Sequence, residues 1–177
     1  ATPEEQFVAA CAMGDRARAG GLLASHPGLL QGLSHEQLRM LPELAALGRM
    51  EAVRCMVELG WPIAARGGDW DASALNQAVF RGDAAMARFL LEHGAQWTER
   101  HAYGDNCAGT LCWASLNRPE STEPGGGDWL GCAQALIDHG MPLARPDPEA
   151  PGCVLIDGRR QRYPEEIADL LLGVAAG

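Results

Sequence analysis

Lysine is absent from this chain of 177 residues, so all 14 of its basic residues are arginine. No physical requirement would place arginine at every basic position, and we attribute the bias to codon usage in a GC-rich genome, such as a bacterial one. The 23 acidic residues give a formal net charge of −9. Binding to a phosphate backbone needs clustered cations, so we expect no nucleic acid as a partner and a partner that is neutral or basic.

Long apolar runs and a basic leader are also missing. No apolar run approaches the roughly 20 residues that cross a membrane. The first residues, Ala1–Glu5, contain none of the basic residues that begin a signal peptide. We therefore expect a cytoplasmic protein that does not bind a membrane.

The apolar content is sufficient for a folded core. Hydrophobic residues make up 47% of the chain, which excludes wholesale disorder, and the length fits one domain or one repeat array. Three of the six cysteines, Cys11, Cys55 and Cys132, lie in apolar segments with helical character. We expect buried free thiols in a reducing compartment.

A fixed period of 34 residues separates Gly14, Gly48 and Gly82. The neighbours of these glycines repeat with them: an apolar residue lies seven positions before each, and an apolar pair follows eight and nine positions after each. A period of this length predicts stacked supersecondary units.

The third unit has the clearest local signals. Ser73 is a good N-cap for a first helix, and Asp83 directly after Gly82 is well placed to cap a second one. Gly94 is a typical helix-ending residue in the left-handed region. The unit is therefore predicted as a helix, a tight turn, a second helix and a loop.

The segment Ser73–Ala78 (SALNQA) is similar to the Thr-Pro-Leu-His-x-Ala opening of an ankyrin repeat, and Leu90–Ala95 (LLEHGA) is similar to its Leu-Leu-x-x-Gly-Ala close. Asn76 stands where the family has His, and we expect it to hydrogen-bond backbone between repeats. The resemblance implies an all-α ankyrin-repeat solenoid of about four helix-turn-helix units in a single domain, 1–177. The approximate units are 3–31, 34–66, 69–99 and 105–142, with a divergent C-terminal hairpin and capping helix at 153–175.

Several local departures from the repeat are predicted. Ser34 with Gln37 forms a capping box, and the helix that follows is interrupted or restarted at Pro42. The fourth unit contains extra residues that fall in 117–127 and predict a solvent-exposed loop. Asp157-Gly158 favours a type I′ hairpin turn, and Pro164 is predicted as the first residue of the last helix.

The resemblance implies that partners bind the interrepeat loops and the exposed face of the first helices. The loops 66–71 and 99–106 each combine an aromatic ring, an arginine and an aspartate, and residues of the first two kinds dominate binding energy at interfaces. We predict a non-catalytic scaffold that binds another protein. The predicted contact residues are Arg66, Asp69, Trp70, Asp71, Gln77, Arg81, Arg100, His101, Tyr103, Asp105, Trp113 and Leu116. In an alternative interpretation Trp70 and Tyr103 pack on the neighbouring repeat and only order the loops.

Catalytic residues, a cofactor and a metal site are not predicted. His101, Asp105, Cys107 and Cys112 lie in one stretch, but their spacing lacks the short paired steps of structural zinc sites. His93 and His139 precede helix-ending glycines, where a cap is the expected role. Two other hypotheses stay open: an accessory or regulatory segment of a longer enzyme, since the chain begins without Met, and a small-molecule or metal-binding enzyme that uses His101 and Cys107.

Overall fold

The computed structural model describes residues 1–119 and 126–174, which are mostly helical. The α-helices in these residues are α1 Pro3–Ala12, α2 Arg16–Ser25, α3 His35–Leu38, α4 Met40–Ala46, α5 Met50–Glu58, α6 Ala74–Arg81, α7 Ala84–Glu92, α8 Cys107–Asn117, α9 Trp129–Asp138 and α10 Glu165–Leu171, with a 3₁₀ turn at Leu30–Gly32. The strands are β1 Arg66–Gly67, β2 Ala72–Ser73, β3 Arg145–Pro146, β4 Val154–Ile156 and β5 Arg159–Gln161. No helix within these ranges is long and apolar enough to cross a membrane.

Consecutive helix pairs pack against each other along the chain. Helix α1 packs on α2 and α5, α4 packs on α5 and α6, and α6 packs on α7 and α8. Helix α9 contacts α7, α8 and α10. Gly14, Gly48 and Gly82 all have φ of 71°, a left-handed conformation that costs glycine little. The three glycines of the 34-residue period therefore occupy the same kind of turn.

In most of these helix pairs, the second helix begins after an aspartate N-cap. The carboxylates of Asp15, Asp83 and Asp128 accept hydrogen bonds from backbone N–H groups at 3.1, 3.1 and 2.8 Å, respectively. The cap predicted at Asp83 is confirmed. Helix α5 differs, since its N-cap is Arg49, whose side chain makes no capping hydrogen bond.

The helix break near Pro42 lies earlier than the sequence predicts. The capping box of Ser34 and Gln37 forms as expected, but α3 ends at Leu38 and α4 begins at Met40. Pro42 therefore lies in the first turn of α4, where the amide hydrogen that proline lacks has no helical partner. The prediction of a restart at Pro42 itself was wrong for this reason.

Two small sheets lie beside the helices, so the expectation of an all-α fold with a C-terminal hairpin holds in part. Strands β1 and β2 pair antiparallel beside the loop 66–71, and β3, β4 and β5 form a three-stranded antiparallel sheet. The predicted hairpin is confirmed, because Asp157 and Gly158 have φ of 51° and 77°, the positive values that a type I′ turn requires. Strand β3 was not predicted.

The structure also differs from two further predictions, one for the start of the last helix and one for the loop 117–127. Pro164 is the N-cap of α10 and not its first helical residue. Helix α8 continues to Asn117, so it covers the first residue of the predicted loop 117–127, while 120–125 lie outside the described residues. The last residue of the predicted cap, 175, also lies outside them.

Asn76 is a fully buried hydrogen-bonding centre between helix pairs. Its Nδ2 donates to the Glu99 carbonyl oxygen at 3.0 Å and to Ser73 Oγ at 3.2 Å, and its Oδ1 accepts from Thr110 Oγ1 at 2.7 Å. The expected hydrogen bond from Asn76 to backbone beyond its own repeat is confirmed. This side chain ties α6 to the loop 99–106 and to α8.

We expect Asn76→Ala to destabilise the fold by about 2–3 kcal/mol, because the partly buried Glu99 carbonyl loses its amide donor and the Thr110 hydroxyl loses the shorter of its two acceptor contacts. Thr98→Ala, an exposed change in the same connection, should alter the free energy of unfolding by less than about 0.5 kcal/mol. Urea denaturation of both variants measures the difference. Equal stability of the two variants would contradict a structural role for the Asn76 amide.

Candidate partner-binding site

A surface cleft of about 750 Å³ lies where the loops 66–71 and 99–106 meet helix α8 and strand β5. Seven of the predicted contact residues line it: Asp69, Trp70, His101, Tyr103, Asp105, Trp113 and Leu116. The remaining lining residues are Phe80, Gly109, Thr110, Cys112, Asn117 and Gln161. The structure thus brings together residues from both predicted loops and from α8.

Five aromatic side chains form a continuous row along the cleft, which we call the aromatic row. Trp113 stacks on Phe80 with ring centroids 5.4 Å apart and an interplanar angle of 11°. Phe80 is 5.4 Å from Trp70, Trp70 is 5.0 Å from His101, and His101 is 5.8 Å from Tyr103, again between centroids. Tyr103 is 81% exposed and Trp113 is 53% exposed. The middle of the row is therefore packed between other rings, while both outermost rings reach solvent.

The loop 66–71 is braced by its own residues. Arg66 Nη2 lies 3.1 Å from Asp71 Oδ2, and Arg66 Nε donates to the Asp71 carbonyl oxygen at 2.9 Å. Asp71 takes a left-handed backbone conformation with φ of 49° between strands β1 and β2. Arg66 and Asp71 therefore satisfy each other and hold Asp69 and Trp70 toward the cleft.

The loop 99–106 is closed in a similar way and is joined to the first loop. Arg100 Nη1 donates to the Gly104 carbonyl oxygen at 2.7 Å, and the backbone N–H of Ala102 donates to the Trp70 carbonyl oxygen at 3.0 Å. His101 is buried, and its Nδ1 accepts from the Tyr103 N–H at 3.2 Å. Burial lowers the pKa of His101, so its imidazole is neutral at neutral pH.

Two aspartate side chains line the cleft beside the aromatic row, and they differ in whether protein groups bind their carboxylates. Asp105 Oδ1 accepts from the Asn106 N–H at 2.8 Å, and the carboxylate also contacts Arg159 at 3.4 Å and Gln161 at 3.4 Å. Asp69 is exposed, and its side chain makes no hydrogen bond or ion pair with any residue in the described ranges. Asp69 is therefore the carboxylate that is open to an incoming group.

Glycine at position 109 allows Asp105 to lie against α8. A Cβ atom at Gly109 would collide with the Asp105 carboxylate. The absence of a side chain in this turn of α8 therefore sets the position of a charged group in the cleft.

Five of the predicted contact residues do not line the cleft. Gln77 is only 4% exposed, and Arg81 Nη1 donates to the Ala46 carbonyl oxygen of the preceding pair at 3.0 Å. The other three, Arg66, Asp71 and Arg100, make the loop contacts described above. For Trp70 the packing interpretation holds in part, since its ring lies between Phe80 and His101, whereas Tyr103 is largely in solvent.

Sequence reasoning missed Phe80 and Gln161 as cleft residues. The sequence gives a weak indication that Phe80 lies at the surface, because this large apolar residue comes at the end of α6, directly before Arg81 and Gly82. The sequence gives no indication that Gln161 belongs to the cleft. Strand β5 reaches Asp105 only in the folded structure, because the two residues are 56 positions apart in the chain.

Burial changes the acidity of several cysteine thiols. Burial raises the pKa of Cys107 and of Cys112, and it raises the pKa of Cys11 to about 12. These three thiols are therefore protonated at neutral pH, whereas a cysteine nucleophile reacts as the thiolate. In 1–119 and 126–174, no group of three or more His, Cys, Asp or Glu side chains could hold a metal ion. Cys11, Cys55 and Cys132 are buried and free, as the sequence predicts.

The two histidines that precede helix-ending glycines act as predicted. His93 Nδ1 lies 2.8 Å from the Phe89 carbonyl oxygen, and His139 Nδ1 lies 2.8 Å from the Ala135 carbonyl oxygen. Since a carbonyl oxygen can only accept, each ring donates to the last turn of its helix.

We expect Glu99→Gln to stabilise the protein at pH 7. Burial raises the pKa of the Glu99 carboxyl, although hydrogen bonds from Ser73 and from the Gln96 N–H oppose the shift. With the folded pKa above the unfolded value of 4.5, the folded state binds more protons, so ionisation of Glu99 costs stability as pH rises. The glutamine amide oxygen can still accept from Gln96.

Thermal or urea unfolding at several pH values checks this expectation. The advantage of Glu99→Gln should shrink as pH falls through the folded pKa and vanish below about 4.5, where Glu99 is protonated in both states. Glu92→Gln, an exposed change, should show no such trend. A Glu99→Gln advantage independent of pH would contradict the assignment.

Comparison with known proteins agrees with the repeat seen in the sequence. Residues 41–91 match a family model described as ankyrin repeats in many copies, a span that runs from α4 through α7. No curated protein matches the chain. The turns at Gly48 and Gly82, and the packing of α4 on α6, lie within this matched segment. The segment 41–91 is thus an ankyrin-repeat segment.

Proposed function

We propose that this protein is a non-catalytic protein-protein interaction module and that its partner binds in the cleft that contains the aromatic row. Ankyrin repeats generally mediate protein-protein interaction. The observation that carries the proposal is the exposure of Tyr103, Trp113 and Leu116, at 81, 53 and 46%, on one continuous surface. Aromatic anchors of this kind supply much of the affinity in protein interfaces.

The architecture that presents the cleft is part of the proposal. We propose a single domain, 1–177, in which about four helix pairs form a short curved solenoid that a hairpin and a helix close. The shared conformation of Gly14, Gly48 and Gly82 and the contacts between successive pairs support this arrangement. In such a stack the loops of neighbouring repeats lie side by side, which makes them a shared surface.

The rigidity of the cleft favours binding. The rings of Phe80, Trp70 and His101 are already packed against each other, and both loops are closed by their own arginines. Little side-chain and loop entropy is therefore lost when a partner binds. Because Trp113 and Leu116 are 53 and 46% exposed, covering them would contribute about half of the roughly 1.5–3 kcal/mol that full burial of a large apolar side chain provides.

The raised thiol pKa values support a binding role over covalent catalysis. The free, buried cysteines support a reducing compartment, and we propose that the protein is cytoplasmic.

The test uses Trp113→Ala/Leu116→Ala and the matched control Leu143→Ala, which removes an apolar side chain that is 56% exposed and does not line the cleft. Immobilised wild-type and variant proteins are incubated with an extract of the source organism, and retained proteins are compared by quantitative mass spectrometry. We expect at least one protein that wild type and Leu143→Ala retain and that the double variant loses at least about tenfold, as for a central interface anchor.

Circular dichroism and urea unfolding check that the double variant keeps the wild-type fold, which is expected because both side chains lie at the surface. A photo-reactive phenylalanine at Trp113 then identifies the protein in direct contact. Equal retention by wild type and the double variant would overturn the assignment of this cleft.

A further inference from the structure

The chemistry of the cleft narrows the kind of partner segment that it can hold. We infer that the cleft binds an extended segment of a partner protein through an arginine side chain, which stacks on Trp113 or Tyr103 and pairs with Asp69. The inference rests on the proposed function and adds the charge and shape of the group that is recognised.

The first argument is the charge of the lining. Asp69 and Asp105 both line the cleft, and none of the described lining residues is an arginine. Asp105 is partly neutralised by Arg159 at 3.4 Å, and the Arg66 guanidinium near His101 is paired with Asp71. Asp69 has no partner of this kind in the described ranges. The chain as a whole carries −9, which adds a long-range attraction for a cation.

The second argument is the geometry of the exposed rings. Trp113 packs one face on Phe80 at an interplanar angle of 11°, and more than half of the residue stays in solvent. A cation above an aromatic face is attracted by the electron density of the ring, and tryptophan is the best such ring. Arginine is favoured over lysine because its guanidinium is planar and weakly hydrated and can stack on a ring while donating to a carboxylate.

The third argument comes from elsewhere in this molecule. The Arg54 guanidinium lies 4.8 Å from the centroid of the Phe89 ring, and the Arg118 guanidinium lies 5.1 Å from the Trp129 ring. Both ring faces are covered by an arginine of the chain itself, whereas no such contact covers Trp113 or Tyr103 in the described ranges. An arginine from a partner would complete the same arrangement at the cleft.

The size of the cleft fits a short segment. A volume of about 750 Å³ accommodates an arginine side chain and its immediate neighbours, and Leu116 offers an apolar contact for a flanking residue. Arginine flanked by apolar residues is therefore the expected recognition pattern.

The experiment uses a capped pentapeptide, Gly-Leu-Arg-Leu-Gly, and the same peptide with citrulline, a neutral side chain of nearly the same shape, in place of arginine. Each is titrated into ¹⁵N-labelled full-length protein, and the indole N–H signals of Trp70 and Trp113 are followed. The buried Trp61, Trp97 and Trp129 serve as internal controls. We expect the arginine peptide to bind at least about fivefold more tightly than the citrulline peptide.

Asp69→Asn should weaken binding of the arginine peptide by at least about threefold and leave the citrulline peptide unchanged. Asp169→Asn, which removes the same charge from α10 outside the cleft, should bind both peptides as wild type does. Increasing salt should reduce the preference for arginine.

Equal binding of the two peptides, or no shift of Trp70 and Trp113 at about 5 mM peptide, would overturn the inference. Either result leaves the proposed function standing if wild type still retains a protein that Trp113→Ala/Leu116→Ala loses. Loss of that retention difference would overturn the proposed function itself, so the two failures are distinguishable.

Discussion

The side-chain amide of Asn76 joins three segments that are distant in sequence: the start of α6, the backbone at Glu99 and the first turn of α8. Each oxygen and nitrogen of this buried amide has a partner, which is the condition under which a polar group in a core is tolerated. The loop 99–106 and α8 carry His101, Tyr103 and Trp113. The amide therefore fixes the relative positions of groups that form one cleft.

Most charged groups around the cleft find partners within the protein, whereas three large side chains stay exposed to solvent. The arginines of both loops bind within their own loops, and Gly109 makes room for the Asp105 carboxylate. Tyr103, Trp113 and Leu116 remain in solvent on this rigid frame. Holding large apolar side chains in water gains nothing for folding, which is why a preformed surface of this kind points to binding.

Local signals predicted much of the fold, because caps and turns are decided within a few residues. Ser34, Ser73 and Asp83 cap helices as expected, and Asp157-Gly158 forms the hairpin turn. The two prolines were misplaced by one or two residues, since proline is tolerated at several positions near a helix start. The site was only partly predictable. A sequence does not show whether an arginine such as Arg100 faces solvent or its own loop, nor that Gln161 returns beside Asp105.

The uncapped start of α5 has a consequence for the internal motions of the molecule. A side-chain N-cap stabilises a helix start by about 1 kcal/mol, and α5 has Arg49 where α2, α7 and α9 have aspartate. We expect its first amide hydrogens to exchange with solvent sooner than those of the helices that begin with an aspartate cap. Helix α5 packs on α1 and α4, so it takes part in the contact between the first two helix pairs. The start of α5 therefore depends on packing and not on a local side-chain hydrogen bond, in contrast to the loops of the cleft, which are closed by their own arginines.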